Sequence, residues 1–293
     1  MNIYATYFCN FRCPFCFLRE DQKSNKGIID FNWLDEQLDI ISHTKGGLST
    51  DFTLLGGELS ILPEDIQEKL VDLCYKYDDR KPYWITNLSR IPTVVHNVDL
   101  IVSYDFNVRQ KKNCVLNNIL SLDTNFALST VLTKPIIEQG PKVYLDLIKS
   151  LNCCTRSDLH ILTLTPHTPK ELIASDDDII DFLDVVLDEP KVNPANYSNF
   201  RKIINLDFDN WSDRIALLPN NKYGVTSLQL VETYEECDTL DEALNTYFKN
   251  VAKLQKNKIC GKCDLLGKCS SRVFSTECTG HKPIMRFLQE RLK

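Results

Sequence analysis

Across the first 165 residues, short apolar runs alternate with amphipathic stretches of helical period, a pattern few folds accommodate. Ile3–Tyr7, Phe52–Leu55, Tyr83–Thr86, Leu100–Tyr104, Phe126–Leu132 and Leu159–Leu164 read as strands. Several are almost continuously apolar, as strands buried on both faces must be. Between them, Leu34, Leu38 and Ile41 recur at i, i+4, i+7, and Tyr144, Leu147, Ile148 and Leu151 at i, i+3, i+4, i+7, the signature of helices with one buried face. Pro63-Glu64 opens a further helix, with Ser60 as a nearby capping candidate. The alternation is that of βα units around a parallel sheet. It stops near Thr165, after six units, where a full eight-unit barrel takes ~250 residues.

The rest of the chain has a different character. Residues 166–213 are less regular; Asp176-Asp177-Asp178 opens the apolar run Ile179–Leu187, which reads as a capped helix with carboxylates at its positive end. From 214 to 293 a hairpin is expected, Ile215–Leu218 and Val225–Val231 flanking a turn-rich Pro219–Gly224. A helix over Leu240–Lys256 follows, then a cysteine-rich tail. Residues 1–165, 166–213 and 214–293 thus read as a barrel core, a connecting helical segment and a small metal-binding domain.

Twelve cysteines in 293 residues, with no signal peptide and no long apolar run, argue against a secreted disulfide scaffold. Met1–Phe8 leads straight into the first cysteines, leaving no room for a targeting segment, so the chain reads as cytoplasmic with no membrane partner. The net charge of −6 argues against nucleic acid as a partner. The twelve thiols then point to metal or redox chemistry. Cys9, Cys13 and Cys16 are spaced C-x3-C-x2-C directly after the first strand. A four-iron cluster held by cysteine alone takes four thiolates, so this loop would leave one iron open. Zinc held by the same thiols is the alternative reading.

This run resembles the cluster loop of the radical S-adenosylmethionine (radical SAM) enzymes, which also carry an aromatic residue before the third cysteine, here Phe15. Leu55-Gly56-Gly57-Glu58, ending the second strand, resembles the glycine-glycine-glutamate motif of that superfamily. The resemblance implies a partial (β/α)6 barrel with its site at the C-terminal ends of the strands. It implies a [4Fe–4S] cluster on Cys9, Cys13 and Cys16, with S-adenosylmethionine held at Gly56, Gly57 and Glu58 and its adenine near Phe15. Two glycines suit a backbone that must approach a ligand closely, so a branched residue at Gly57 should block the cofactor and spare the cluster. Polar groups ending the fourth strand bind ribose hydroxyls in the family, which makes Ser103 and Asp105 candidates; Asn87 and Asp105 read equally as turn residues. Ser129 or Thr130, and Thr163 or Thr165, could line the cavity, one of each pair facing inward.

At the C-terminus, Cys260-x2-Cys263-x5-Cys269-x8-Cys278 resembles the auxiliary-cluster domains called SPASM and twitch. It departs from them in lacking a hairpin cysteine at 224–227 and in the long last spacing. The four thiolates suit one closed auxiliary [4Fe–4S] cluster or one zinc ion, with Cys237 as a replacement ligand. Cys74, Cys114, Cys153 and Cys154 read as structural, and His160 as a core or rim residue; His167 lies past the last strand. The resemblance implies an enzyme that cleaves S-adenosylmethionine reductively and takes hydrogen from a substrate, with a reductase or flavodoxin-type electron donor. A ribosomally made peptide or protein side chain is the expected substrate. A small molecule such as a sugar, nucleoside or amino-acid derivative is the alternative, and a zinc-binding interaction protein the third reading.

Overall fold

Strands and helices alternate in the structure as the apolar periodicity requires. The computed structural model describes residues 1–44, 51–106, 108, 111–162, 168–194, 215–226, 234–256, 262–264 and 282–291. In chain order they form β1 (Asn2–Thr6), α1 (Glu20–Ser24), α2 (Phe31–Ser42), β2 (Thr53–Gly56), α3 (Glu64–Tyr77), β3 (Tyr83–Thr86) and β4 (Asp99–Ser103). Then come α4 (Lys112–Leu120), β5 (Phe126–Leu132), α5 (Lys134–Glu138), α6 (Pro141–Ser150), β6 (Cys154–Ile161), α7 (Asp176–Val186) and β7 (Val192–Pro194). The C-terminal part adds β8 (Ile215–Leu218), β9 (Lys222–Thr226), β10 (Tyr234–Cys237), α8 (Leu240–Lys256) and α9 (Lys282–Arg291).

One sheet runs through all ten strands in the order β10-β9-β8-β1-β2-β3-β4-β5-β6-β7. From β8 to β7 every pairing is parallel; β9 and β10 return antiparallel. The spatial order of β1–β6 never reverses. Parallel crossovers are right-handed, so an unreversed order sends every connecting helix to the same face. Burial agrees. Ile3, Ala5, Leu54, Trp84, Leu100, Val102 and Leu128 form one core with Leu34 and Leu38 of α2, Leu70 and Val71 of α3, and Ile148 of α6. The sheet curls with its other face inward as a partial barrel. Adjacent on that inner face, by register, stand Tyr4 and Leu55, Ser103 and Ser129, Ser129 and Asp158, Val131 and His160, and Asp158 and Asn193.

Several boundaries differ from the sequence expectation, each for a local reason. β6 begins at Cys154 rather than Leu159, because Arg156 and Asp158 face inward and break the apolar run. The second hairpin strand begins at Lys222; the turn is confined to Pro219–Asn221, where Asn221 takes the left-handed conformation (φ 59°). Ser60 does not cap α3, which starts after Pro63 without a side-chain cap. The acidic run behaves as expected: α7 is capped by Ser175, whose hydroxyl accepts from Asp178 N at 3.1 Å. Two short strands, β7 and β8, extend the six expected ones at either side. The hairpin expected to begin a separate unit at 214 continues the barrel sheet through β8.

Candidate functional site

The chain leaves β1 through a side-chain turn. The Thr6 hydroxyl donates to Gly27 O at 2.7 Å and accepts from Phe8 N at 3.1 Å, which swings Cys9–Cys16 across the C-terminal end of the strand. All three loop cysteines are half-buried and none is in a disulfide. Cys16 N donates to Cys13 O at 3.1 Å, and Phe11 N lies 3.5 Å from Cys9 Sγ, an N–H turned towards sulfur. Among the described residues no three His, Cys, Asp or Glu side chains converge as they would around a single ion. A cluster spreads its ligands, one thiolate to each iron. Three cysteines on one short loop, with a backbone N–H already turned to sulfur, fit such a group.

The β2 end is locked to this loop. Gly57 N donates to Thr6 O and Glu58 N to Phe8 O, both at 2.8 Å. A Cβ on Gly57 would lie 2.0 Å from Phe8 O and 2.4 Å from Tyr7 O, and one on Gly56 would lie 2.1 Å from Thr6 O. Gly56 also has φ +148°, in the region that favours glycine. The missing side chains therefore make room for the β1 backbone, a close approach that the sequence expectation did not include. The consequence for the cofactor is indirect: the glycines set where the cysteine loop hangs.

Glu58 is fully buried and fully engaged. One carboxylate oxygen accepts from Ser60 N (3.0 Å), the Ser60 hydroxyl (2.7 Å) and the Thr86 hydroxyl (2.7 Å); the other accepts from Asn87 N (2.5 Å). Burial pushes its pKa up, and the hydroxyl and backbone donors pull it back down. It ties the end of β2 to the end of β3. Asn87 in turn donates to Asn10 Oδ1 at 3.1 Å, and Asn10 donates to the Ser89 hydroxyl at 2.9 Å, so the β3 end braces the cysteine loop. Glu58→Gln should cost about 1–3 kcal/mol, because an amide NH2 would face the Asn87 N–H or a hydroxyl would lose its acceptor. Chemical denaturation of the two proteins checks this.

The remaining candidates separate by face. Asp105 is buried and its carboxylate accepts from Val131 N at 2.6 Å, binding β4 to β5. Ser103 stands on the inner face beside Ser129. Thr130 is buried on the helix side with its hydroxyl on Tyr104 O, so Ser129 is the inward member of its pair. Thr163, Thr165 and His167 lie outside the described residues. Phe15 is half-buried on the loop. His160 faces inward, and burial lowers its pKa against the opposing pull of Asp158 and Asp105.

Sequence reasoning passed over three groups. Asp158 accepts from Arg156 Nε (3.0 Å), Arg156 Nη2 (2.9 Å) and Asn193 Nδ2 (2.8 Å), giving β6 and β7 a polar inner surface. Tyr4, Tyr7, Phe17 and Tyr234 gather below the cysteine loop; Tyr4 has its neighbours' ring centroids at 5.4–6.2 Å and the Tyr234 hydroxyl donates to that of Tyr4 at 2.8 Å. Arg12, Glu20 and Lys23 form a charged group around Cys9. Strand alternation could have exposed the first of these; the other two depend on contacts made by the fold.

Of the C-terminal cysteines, Cys260, Cys269 and Cys278 lie outside the described residues. Cys263 is half-buried beside Asp264, which pairs with Lys282 at 2.7 Å and Arg286 at 3.1 Å and so ties this segment to α9. Cys237 is a packed thiol, 3% exposed and donating to the Thr246 hydroxyl, with its pKa raised by burial. That environment suits a small hydrophobe better than a ligand. Cys74 and Cys154 are buried as expected; Cys114 is exposed at the start of α4, against expectation. No helix among the described residues is long and apolar enough to cross a membrane.

No protein-family model and no curated protein matches the chain. Solved structures do. The chain is similar to native anSMEcpe with bound AdoMet (TM-score 0.68, 15% identity, 99% of this chain and 97% of that one). It is also similar to Streptococcus suis SuiB bound to the precursor peptide SuiA (TM-score 0.68, 15% identity, 95% and 75%). SuiB bound to S-adenosylmethionine gives a TM-score of 0.69 at 14% identity, over 95% and 76%. The fold is thus the mixed α/β fold of these proteins over nearly the whole chain, as the sequence resemblance implied.

Proposed function

We propose that this chain is a radical SAM enzyme acting on a peptide or protein side chain. The observation that carries the reading is the interlock of Gly56 and Gly57 with the β1 exit, which holds a three-thiol loop over the strand ends. Similarity of fold to a protein bound to AdoMet and to one bound to its precursor peptide supports it. Once held by Cys9, Cys13 and Cys16, a [4Fe–4S] cluster would supply the one-electron reduction that cleaves S-adenosylmethionine.

The chain's own residues supply position and shelter. Cys9, Cys13 and Cys16 would hold the cluster. Backbone at Gly56 and Gly57 would take the methionine end of the cofactor, and Glu58 would fix that backbone from behind. Ser103 would meet the ribose and Phe15 the adenine; Asp105 would hold the β4–β5 edge on which Ser103 stands. Across the inner face, Ser129, Asp158, Asn193 and His160 would offer donors and acceptors suited to peptide amides. The apolar helix layer behind the sheet would keep water from one side of the site.

Residues 214–293 would carry an auxiliary [4Fe–4S] cluster on Cys260, Cys263, Cys269 and Cys278, beside the barrel of 1–165 and the connector 166–213. Reconstituted protein should then hold about eight irons per chain. Cys269→Ala should lower that to about four and loosen α9, read by iron analysis and limited proteolysis. Four irons with one zinc in the unmodified protein would assign the second site to zinc. An external reductase or flavodoxin-type protein would deliver the electron. Mass spectrometry of candidate peptides incubated with reduced enzyme and S-adenosylmethionine tests the substrate class. Modification of a sugar, nucleoside or amino-acid derivative in place of every peptide would overturn it.

A further inference from the structure

The cysteine loop is gripped from its outer side by three charges. Lys23 is 4% exposed, an unusual fate for a lysine, and its ammonium pairs with Glu20 at 2.6 Å. Its carbonyl accepts from Cys9 N at 3.1 Å, so Lys23 and the first cysteine share a backbone hydrogen bond. Arg12, between the first two cysteines, closes the group. Its Nη1 donates to Cys9 O at 2.7 Å and Phe11 O at 2.9 Å, and its Nε pairs with Glu20 at 2.7 Å. Arg19 and Asp21 nearby pair with each other at 3.1 Å and largely cancel.

We propose that Arg12, Glu20 and Lys23 form an ionic clamp that holds the cysteine loop in its ligating shape and sets the reduction potential of the cluster it binds. The potential part rests on the radical SAM reading; the loop-holding part does not. An ion pair with an exposed partner is worth little in isolation, but Lys23 is shielded from water and Arg12 adds two hydrogen bonds to loop carbonyls. The clamp carries two positive charges and one negative. Reduction adds an electron to the cluster, so nearby net positive charge favours it, and net charge and hydrogen bonding are among the determinants of cluster potential. Lys23 and Arg12 are positioning residues here, acting through the loop and its field.

Charge and shape can be separated because the clamp contains both signs. Lys23→Met removes a positive charge and Glu20→Gln a negative one, while both break the Lys23–Glu20 link. In metal-free protein, iodoacetamide should alkylate Cys9, Cys13 and Cys16 several-fold faster in both variants, read by peptide mass spectrometry. In iron-loaded protein, the midpoint of the paramagnetic signal that responds to S-adenosylmethionine should move down in Lys23→Met and up in Glu20→Gln. Lys23→Arg, which keeps the charge, should restore both readouts. Unchanged alkylation and midpoints would overturn the proposal. Midpoints moving the same way in both variants would overturn the potential-setting part, leaving a purely mechanical brace. If the unsubstituted protein shows no signal responsive to S-adenosylmethionine, the radical SAM reading fails and the potential-setting part with it; the alkylation rates then decide the loop-holding part.

Discussion

Replacing Cys9, Cys13 and Cys16 together by alanine should reduce S-adenosylmethionine cleavage to background while leaving any C-terminal metal in place. The three half-buried thiols sit on one loop at the edge of the helix–sheet core, Cys9 and Cys13 packed against it, and alanine there leaves every fully buried core residue in place. Iron should fall by about four per chain, the content of one cluster. The measurements are iron and sulfide analysis, together with chromatographic detection of 5′-deoxyadenosine under reducing, anaerobic conditions. Persistent 5′-deoxyadenosine from the triple variant would place the reaction elsewhere in the molecule.

Gly57→Val should remove both cofactor binding and most of the N-terminal iron. A Cβ at this position would sit 2.0 Å from Phe8 O and 2.4 Å from Tyr7 O, so strand ends rather than a flexible side chain must move. That movement breaks the Gly57–Thr6 and Glu58–Phe8 hydrogen bonds that suspend the cysteine loop. Parallel loss of iron and of S-adenosylmethionine affinity distinguishes this mechanism from simple obstruction of the ligand, in which iron would stay. A variant with full iron and weakened affinity would restore the reading in which the glycine backbone merely clears a path for the cofactor.

Much of the scaffold was legible because its signals are local. The apolar runs that became β1 to β5 announce themselves by composition, and so does the helix Leu240–Lys256. The cysteine spacing and the Gly-Gly-Glu run were visible as motifs and fall, as expected, after β1 and at the end of β2. What escaped depends on pairing between strands distant in sequence. Nothing local to Gly57 says that its missing side chain makes way for Phe8 O. Asp105 read equally as a ribose ligand and as a turn residue, and nothing local said that its carboxylate would accept from Val131 N of the next strand. Arg156 and Asp158 disguised the start of β6 because a barrel strand can carry polar residues inward, where a sandwich strand would carry apolar ones. Cys114 and Cys237 show the same limit in reverse, since helical or strand periodicity alone did not tell which thiol would be exposed and which packed.

The most direct test of the central claim is anaerobic reconstitution of the full chain with iron and sulfide, reduction with dithionite, and addition of S-adenosylmethionine without substrate. Formation of 5′-deoxyadenosine and methionine in equal amounts, with a paramagnetic cluster signal that changes on adding the cofactor, is the expected result. A protein that takes up zinc in preference to iron, stays colourless and leaves S-adenosylmethionine intact would contradict it.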